Sequence, residues 1–272
     1  MKIVVKIGGT LLEDHAVRQR MAAMVAAEFR AGKQVLLVHG GGKQLTAFLE
    51  KTGVRSEFRN GLRVTTAEAI DGVIKILAGT VNHNLLSTFV AEGIRAVGIS
   101  GIDGACLLAE QLRDEQGRAW GFVGRIIQAD PRLWQTLLDA GMVPVMACLA
   151  VGVDGQIYNV NADQVAVACT AAWKADRLVF LTDVDGVEDG RGQRMESLSC
   201  EDIPGLIRAG TVTGGMEAKL NAIAEAVRNG LREVHICNGH LDGVLQRVLD
   251  RNEQQSGTGT RIRSSRVPEV LN

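Results

Sequence analysis

The sequence lacks the features that mark several common protein classes. It has only 4 prolines in 272 residues, so polyproline and collagen-like architectures are excluded. Nowhere do about 18 apolar residues run together, which rules out a membrane-spanning helix. The opening stretch, Met1–Thr10, turns glycine-rich too early to form the apolar core of a signal peptide, and the chain is expected to be soluble and cytoplasmic. Formal net charge is −1, so no long-range attraction to nucleic acid or an anionic membrane follows. Any anionic ligand must be held by local positive groups. The 5 cysteines (Cys106, Cys148, Cys169, Cys200 and Cys237) contain no CxxC pair, and they read as small buried hydrophobes in a reducing compartment. No HExxH occurs, and His235 and His240 do not share a helix face, so no side chain is assigned to a metal. Both standard phosphate motifs are missing as well. Leu37 stands where a GxxxxGK[ST] loop needs its first glycine, and Leu45 stands where GxGxxG needs its last. The chain is therefore no P-loop NTPase, and a dinucleotide-dependent dehydrogenase has no direct support.

What is present is alternation. Nearly continuous apolar runs at Ile3–Ile7, Gln34–Val38, Ile94–Ile99, Val143–Cys148, Leu178–Thr182 and Glu233–Cys237 suit strands covered on both faces. Helical periodicity falls between them, over 14–31, 43–53, 66–92, 131–141, 162–174, 216–229 and 241–250. In the longest, Ile70, Val73, Leu77 and Val81 form an apolar stripe, with Thr65 and Glu68 spaced as a capping box. Strand then helix, repeated, predicts an α/β fold: three αβα layers around a central, mostly parallel sheet. Residues 105–127 interrupt the rhythm with an antiparallel pair turning at Arg113–Gly117, and Asp183–Arg194 reads as a loop or ribbon. The polar tail after Arg263 is expected to fray.

In such a sheet, ligands gather where strands end and helices begin. Three glycine clusters fall there: Gly8-Gly9, Gly40-Gly41-Gly42 and Gly214-Gly215. Glycine lets the backbone approach a ligand, and the following helix offers unpaired N–H groups to an anion. Lys6 is the only charge inside its apolar strand and needs an anionic partner. Lys219, expected in the first turn of a helix, is disfavoured by the dipole unless an anion binds there. Asp163, in Asn159-Val160-Asn161-Ala162-Asp163, suits a helix N-cap or a site role. Arg63 is either a carboxylate clamp or a solvated surface arginine.

The motifs KIGG, VHGGGK, NGLRVT, NVNADQ, LTDVDGV, TGGMEAKL and GTGTRI occur in this order from Lys6 to about Arg261. In content and order they resemble the amino acid kinase family, and within it the members that phosphorylate N-acetyl-L-glutamate. The resemblance implies the carbamate kinase-like fold, with an acyl-amino-acid-binding and dimerising lobe over 1–174, a nucleotide lobe over 175–266 and a tail over 267–272. It implies MgATP-dependent transfer to the side-chain carboxylate, giving N-acetyl-L-glutamyl 5-phosphate, the second step of arginine synthesis. Lys6 and Lys219 would flank the transferring phosphoryl group, with Asp163 orienting both. Gly9, Gly41, Gly42, Arg63, Asn159 and Asn161 would hold the acyl substrate or the phosphoryl group. Gly8, Thr182, Asp183, Gly186, Gly214 and Gly215 would serve the nucleotide, with Mg2+ as cofactor. Family members commonly carry an IDGR-like stretch where this chain has Ile236–His240. With five residues ahead of Lys6, the extra N-terminal helix of arginine-inhibited hexamers has no counterpart, and a homodimer without arginine feedback is expected. The alternatives are a sister kinase acting on an aminoadipate derivative, N-succinylglutamate, carbamate, aspartate or UMP, and a non-catalytic sensor on the same fold.

Overall fold

The computed structural model describes residues 1–59, 61–228, 230–250 and 258–264. The strands, in chain order, are β1 (Lys2–Ile7), β2 (Gln34–His39), β3 (Glu57–Arg59), β4 (Leu62–Val64), β5 (Ala96–Ser100), β6 (Leu107–Arg113), β7 (Ala119–Ala129), β8 (Val143–Ala147), β9 (Leu149–Val151), β10 (Ile157–Asn159), β11 (Arg177–Thr182), β12 (Ser197–Ser199), β13 (Val234–Asn238) and β14 (Thr260–Arg263). The helices are α1 (His15–Arg30), α2 (Gly42–Lys51), α3 (Ala67–Val73), α4 (Asn82–Ala91), α5 (Arg132–Asp139), α6 (Ala162–Trp173), α7 (Ile203–Arg208), α8 (Gly214–Arg228) and α9 (Val244–Leu249).

Eight strands form one sheet in the order β12-β14-β13-β11-β1-β2-β8-β5. Within it only β13 and β14 pair antiparallel. The central strands are buried on both faces, which is why they read as unbroken apolar runs. One group of helices joins α1 to α4 and α9; on the other side α6 packs along β1, β2 and β11 and against α8. Trp173 of α6 donates its indole N–H to Gln135 of α5 at 2.8 Å. The α/β sandwich read from the sequence is therefore the fold, and no helix among the described residues is long and apolar enough to cross a membrane. The sheet runs unbroken past residue 174, because β11 pairs with β1 in parallel register.

The antiparallel excursion is real and larger than expected: β6 and β7 close with β9 and β10 into a small four-stranded barrel. The 66–92 helix is three pieces, α3, a π-helical stretch over Ile74–Val81 and α4. Its N-cap is Thr66, whose hydroxyl accepts from the Ala69 N–H at 3.3 Å, and not Thr65. Thr65 is instead buried beside the barrel, where its carbonyl accepts from the Phe122 N–H at 2.7 Å. The tail over 267–272 lies outside the described residues. All five cysteines are buried and none is in a disulfide.

Candidate active site

The C-terminal ends of β1, β2 and β11 meet at one edge of the sheet. There the Gly8 N–H donates to Leu181 O at 2.8 Å and the Gly40 N–H donates to Ile7 O at 3.1 Å, so the two glycine turns continue the strand pairing. A Cβ on Gly9 would lie 2.9 Å from Gly41 N. Gly41 has φ +156 and a Cβ there would meet Leu77 at 2.6 Å, so both turns need glycine for close approach. Gly42, with open space around it, begins α2 and presents unpaired N–H groups.

Over this edge lies Asp163. It does not cap α6: Asn161 does, its side-chain oxygen accepting from the N–H groups of Asp163 (2.8 Å) and Gln164 (3.3 Å). The Asp163 carboxylate is thereby free to hold two ammonium groups. Lys6 Nζ contacts one oxygen at 2.8 Å and Lys219 Nζ the other at 2.7 Å. All three residues are buried. Burial pushes the Asp163 carboxyl up, but the two lysines outweigh it and hold it at about 2. Burial, aided by the neighbouring Lys6 charge, pulls the Lys219 ammonium down to about 8 against the attraction of Asp163. The Phe180 ring, 4.7 Å from Lys219 Nζ, supplies its electron-rich face to the same cation. Lys219 is not in the first turn of its helix, because α8 starts at Gly214 and the lysine falls in the second turn. The triad therefore carries two positive charges against one negative.

Next to it a cavity of about 230 Å³ is lined by Lys6, Gly9, Gly41, Gly42, Arg63, Asn159 and Asn161. Every residue read from the sequence as facing the acyl substrate thus borders one cavity. Arg63 is buried, not solvated. Its guanidinium donates to Gly42 O (3.1 Å), Thr46 Oγ1 (2.5 Å) and Ser56 Oγ, and stacks on Phe58 at 4.5 Å. Burial lowers its pKa, opposed only by the charge of Glu50, and among the described residues no carboxylate forms an ion pair with it. A buried guanidinium held by neutral acceptors favours an incoming carboxylate. Asn159 donates to Thr65 Oγ1 at 3.0 Å. Thr46, Ser56, Phe58 and Thr65 are not legible as site residues, since nothing in the local sequence says that they converge on Arg63 and Asn159.

The residues read as nucleotide-facing are less tightly gathered. Asp183 accepts from Thr182 Oγ1 at 3.1 Å and from the Thr10 hydroxyl; burial raises its pKa, but a backbone N–H bond, these hydroxyl bonds and Lys43 carry it lower overall, and its charge is felt by Lys219. Gly8 abuts Thr182. Gly214 and Gly215 open α8 with no heavy atom near a would-be Cβ, while a Cβ added to Gly61 would lie 3.7 Å from Gly214 O. Gly186 has φ +151 and a packing reason of its own, since a Cβ there would lie 2.5 Å from Thr260 Oγ1. A larger groove of about 640 Å³ between α6, α8 and β7 shares Leu62 and Asn161 with the small cavity but is lined mainly by alanine and isoleucine. It has neither the lysines nor the glycine turns that phosphate chemistry requires.

The chain matches the amino acid kinase family over residues 1–238. It is 47% identical over 253 residues to the acetylglutamate kinase of Solibacter usitatus, covering 93% of this chain and 97% of that one. Against the acetylglutamate kinase of Acidobacterium capsulatum it is 45% identical over 258 residues, covering 93% and 98%. Among solved structures it resembles smu.665 from Streptococcus mutans UA159 with a TM-score of 0.82, 27% identity and coverage of 97% and 98%. It shares its fold with the carbamate kinase of Giardia lamblia, at a TM-score of 0.68, 16% identity and coverage of 97% and 98%. With two lysines on one buried carboxylate, glycine turns at the strand ends and a family match through most of its length, the chain belongs to the amino acid kinase family.

Proposed function

We propose that the chain transfers the γ-phosphoryl group of ATP to the side-chain carboxylate of N-acetyl-L-glutamate, giving N-acetyl-L-glutamyl 5-phosphate for arginine synthesis. The observation that carries this reading is the buried pair of lysines on Asp163 beside a small cavity bordered by Arg63, which forms no ion pair among the described residues. Near-complete relatives at 45–47% identity named acetylglutamate kinase support the choice of acceptor.

The substrate carboxylate, with an ordinary pKa near 4, is ionised at neutral pH, so no general base is needed. One carboxylate oxygen attacks the γ-phosphorus, the bond to the ADP oxygen breaks, and ADP leaves with the electron pair. The difficulty is bringing anion to anion. Lys6 and Lys219 lower it by flanking the transferring group, and the N–H groups of the Gly9 and Gly41–Gly42 turns bind its oxygens. Asp163 holds the two ammonium groups in place and moves no proton. Arg63, Asn159 and Asn161 orient the acceptor, which makes the reaction effectively intramolecular. Gly8, Thr182, Asp183, Gly186, Gly214 and Gly215 serve the nucleotide. ATP would enter as its magnesium complex, and the ion would supply positive charge against the phosphate oxygens. Among the described residues no group of three or more His, Cys, Asp or Glu is placed to hold a metal.

On this reading residues 1–174 bind the acyl amino acid and dimerise, and residues 175–266 bind the nucleotide. The partner is a second copy of the chain, in keeping with the open edge of the sheet at β5. Buried cysteines suit a cytoplasmic enzyme.

The test is ADP release with MgATP and a panel of acceptors. N-acetyl-L-glutamate should give the highest kcat/KM. Higher turnover on N-succinylglutamate or an N-acyl-aminoadipate would reassign the acceptor, and binding of acetylglutamate without turnover would make the chain a sensor.

A further inference from the structure

The imidazole of His39 is wholly buried at the end of β2, immediately before the glycine turn. It forms no ion pair among the described residues, and the mechanism above makes no use of it. Its ring nitrogens are nevertheless both occupied. Nδ1 lies 2.7 Å from Gly40 O, and Nε2 lies 3.0 Å from Asn82 Nδ2. Asn82 is itself buried, and the same Nδ2 reaches Val145 O at 3.0 Å. An amide nitrogen has two hydrogens, so both contacts are donations, and flipping the amide would set oxygen against oxygen at Val145. Nε2 is then the acceptor, and the ring proton sits on Nδ1 and donates to Gly40 O. Burial and the nearby Lys6 charge keep the ring neutral, its pKa pulled down to about 4 despite the Gly40 bond.

The consequence lies in the next bond. The carbonyl of Gly40 and the N–H of Gly41 belong to one planar trans peptide and point in opposite directions. A clamp on that carbonyl therefore aims the Gly41 N–H, and Gly41 N borders Gly9 at the rim of the cavity that also contains Lys6. Asn82 is in turn seated by Gly98 of β5, where a Cβ would come within 2.0 Å of Asn82 Oδ1. We propose that His39 and Asn82 are positioning residues for phosphoryl transfer, a hydrogen-bonded relay from Val145 through Asn82 and His39 to Gly40 that aims the Gly41 amide at the transferring group. The inference rests on the functional reading given above. Neither residue touches substrate.

The test compares His39→Leu, His39→Asn and, as a control for lost stability, Phe89→Leu in the core of α4. ADP release gives kcat and KM, and thermal melting gives Tm. His39→Leu should lower kcat about tenfold while KM for MgATP and acetylglutamate changes less than about threefold, because an amide aimed at the transition state is lost. His39→Asn keeps a donor near the Nδ1 position and should recover most of that loss. Phe89→Leu should lower Tm without lowering kcat. The proposal is overturned if His39→Leu retains its kcat, or if kcat follows Tm equally in all three variants. An independent arm needs no variant: nitrogen NMR of the histidine-labelled wild-type protein should show His39 as the neutral Nδ1–H tautomer from about pH 8 down to about pH 5. An Nε2–H tautomer, or titration at the ordinary histidine pKa, also overturns it. A folded wild type without turnover sinks the functional reading and this inference together, whereas an active wild type with unaffected variants sinks this inference alone.

Discussion

Lys6 of β1 and Lys219 of α8 share the carboxylate of Asp163, one ammonium on each oxygen at 2.8 and 2.7 Å. Two cations are thus held close together in a buried site by a single anion. Removing that anion should strongly destabilise the folded protein. Asp163→Asn leaves two buried ammonium groups without compensation and is expected to cost about 3–5 kcal/mol of stability, read from urea unfolding.

Replacing either lysine should act on rate more than on fold. Lys219→Met keeps the length and apolar stem and removes only the charge, so kcat should fall by about a hundredfold or more, with a smaller change in Tm. Near-normal ADP release from this variant would remove Lys219 from the proposed mechanism.

The lowered pKa of Lys219 predicts a pH dependence. On the proposed mechanism the ammonium form is the one that binds phosphate, and it is lost as pH rises through about 8. Because kcat/KM reports the free enzyme, kcat/KM for MgATP should be flat below that pH and decline above it. Asp163, held at about 2, stays ionised throughout. Lys219→Arg should abolish the decline, whatever activity remains, since arginine does not deprotonate in this range.

Arg63→Lys tests the acceptor end. Lysine keeps the charge but cannot reproduce the planar fork that meets Gly42 O, Thr46 and Ser56 or the stack on Phe58. KM for acetylglutamate should rise about tenfold or more while KM for MgATP changes little. An equal rise in both would mean that Arg63 does not discriminate the two substrates.

A pair of glycines offers a contrast. Gly41→Ala forces a Cβ onto Leu77 at 2.6 Å and an L residue into φ +156, and should lower both Tm and kcat. Gly205, inside α7 with no heavy atom within 4 Å of a Cβ, should accept alanine with a gain of about 0.5–1 kcal/mol. Equal effects would mean that close approach is not what selects glycine at Gly41.

Much of this geometry was legible in the sequence, for reasons that differ by residue. Lys6 announced itself as the lone charge in an apolar strand, and the strand-end glycines marked the ligand edge because backbone approach there leaves no room for side chains. Asp163 reads in the sequence as either an N-cap or a site residue, and choosing needs the cap that Asn161 supplies and the lysines that arrive from β1 and α8. The capping box placed on Thr65 is off by one residue, because the barrel buries Thr65 and Thr66 caps the helix. Local propensity starts α8 at 216 because Gly214-Gly215 disfavours helix, although the helix includes both. The barrel itself was hidden, since β9 and β10 have 3 residues each, too few to show alternation.

The burial of every cysteine has a practical consequence. The thiols of Cys106 and Cys148 are pushed up by burial to about 12 and about 11, so thiolate, the species that reacts, is scarce at neutral pH. With no exposed native thiol, a cysteine introduced at Val153, which is 85% exposed on the barrel, becomes a selective handle for a fluorophore or spin label. A second at Val184, 40% exposed just beyond β11, completes a donor–acceptor pair. The protein is thus prepared for spectroscopic ruling of the distance between these two positions as MgATP and acceptor are added, with no background cysteine to remove first.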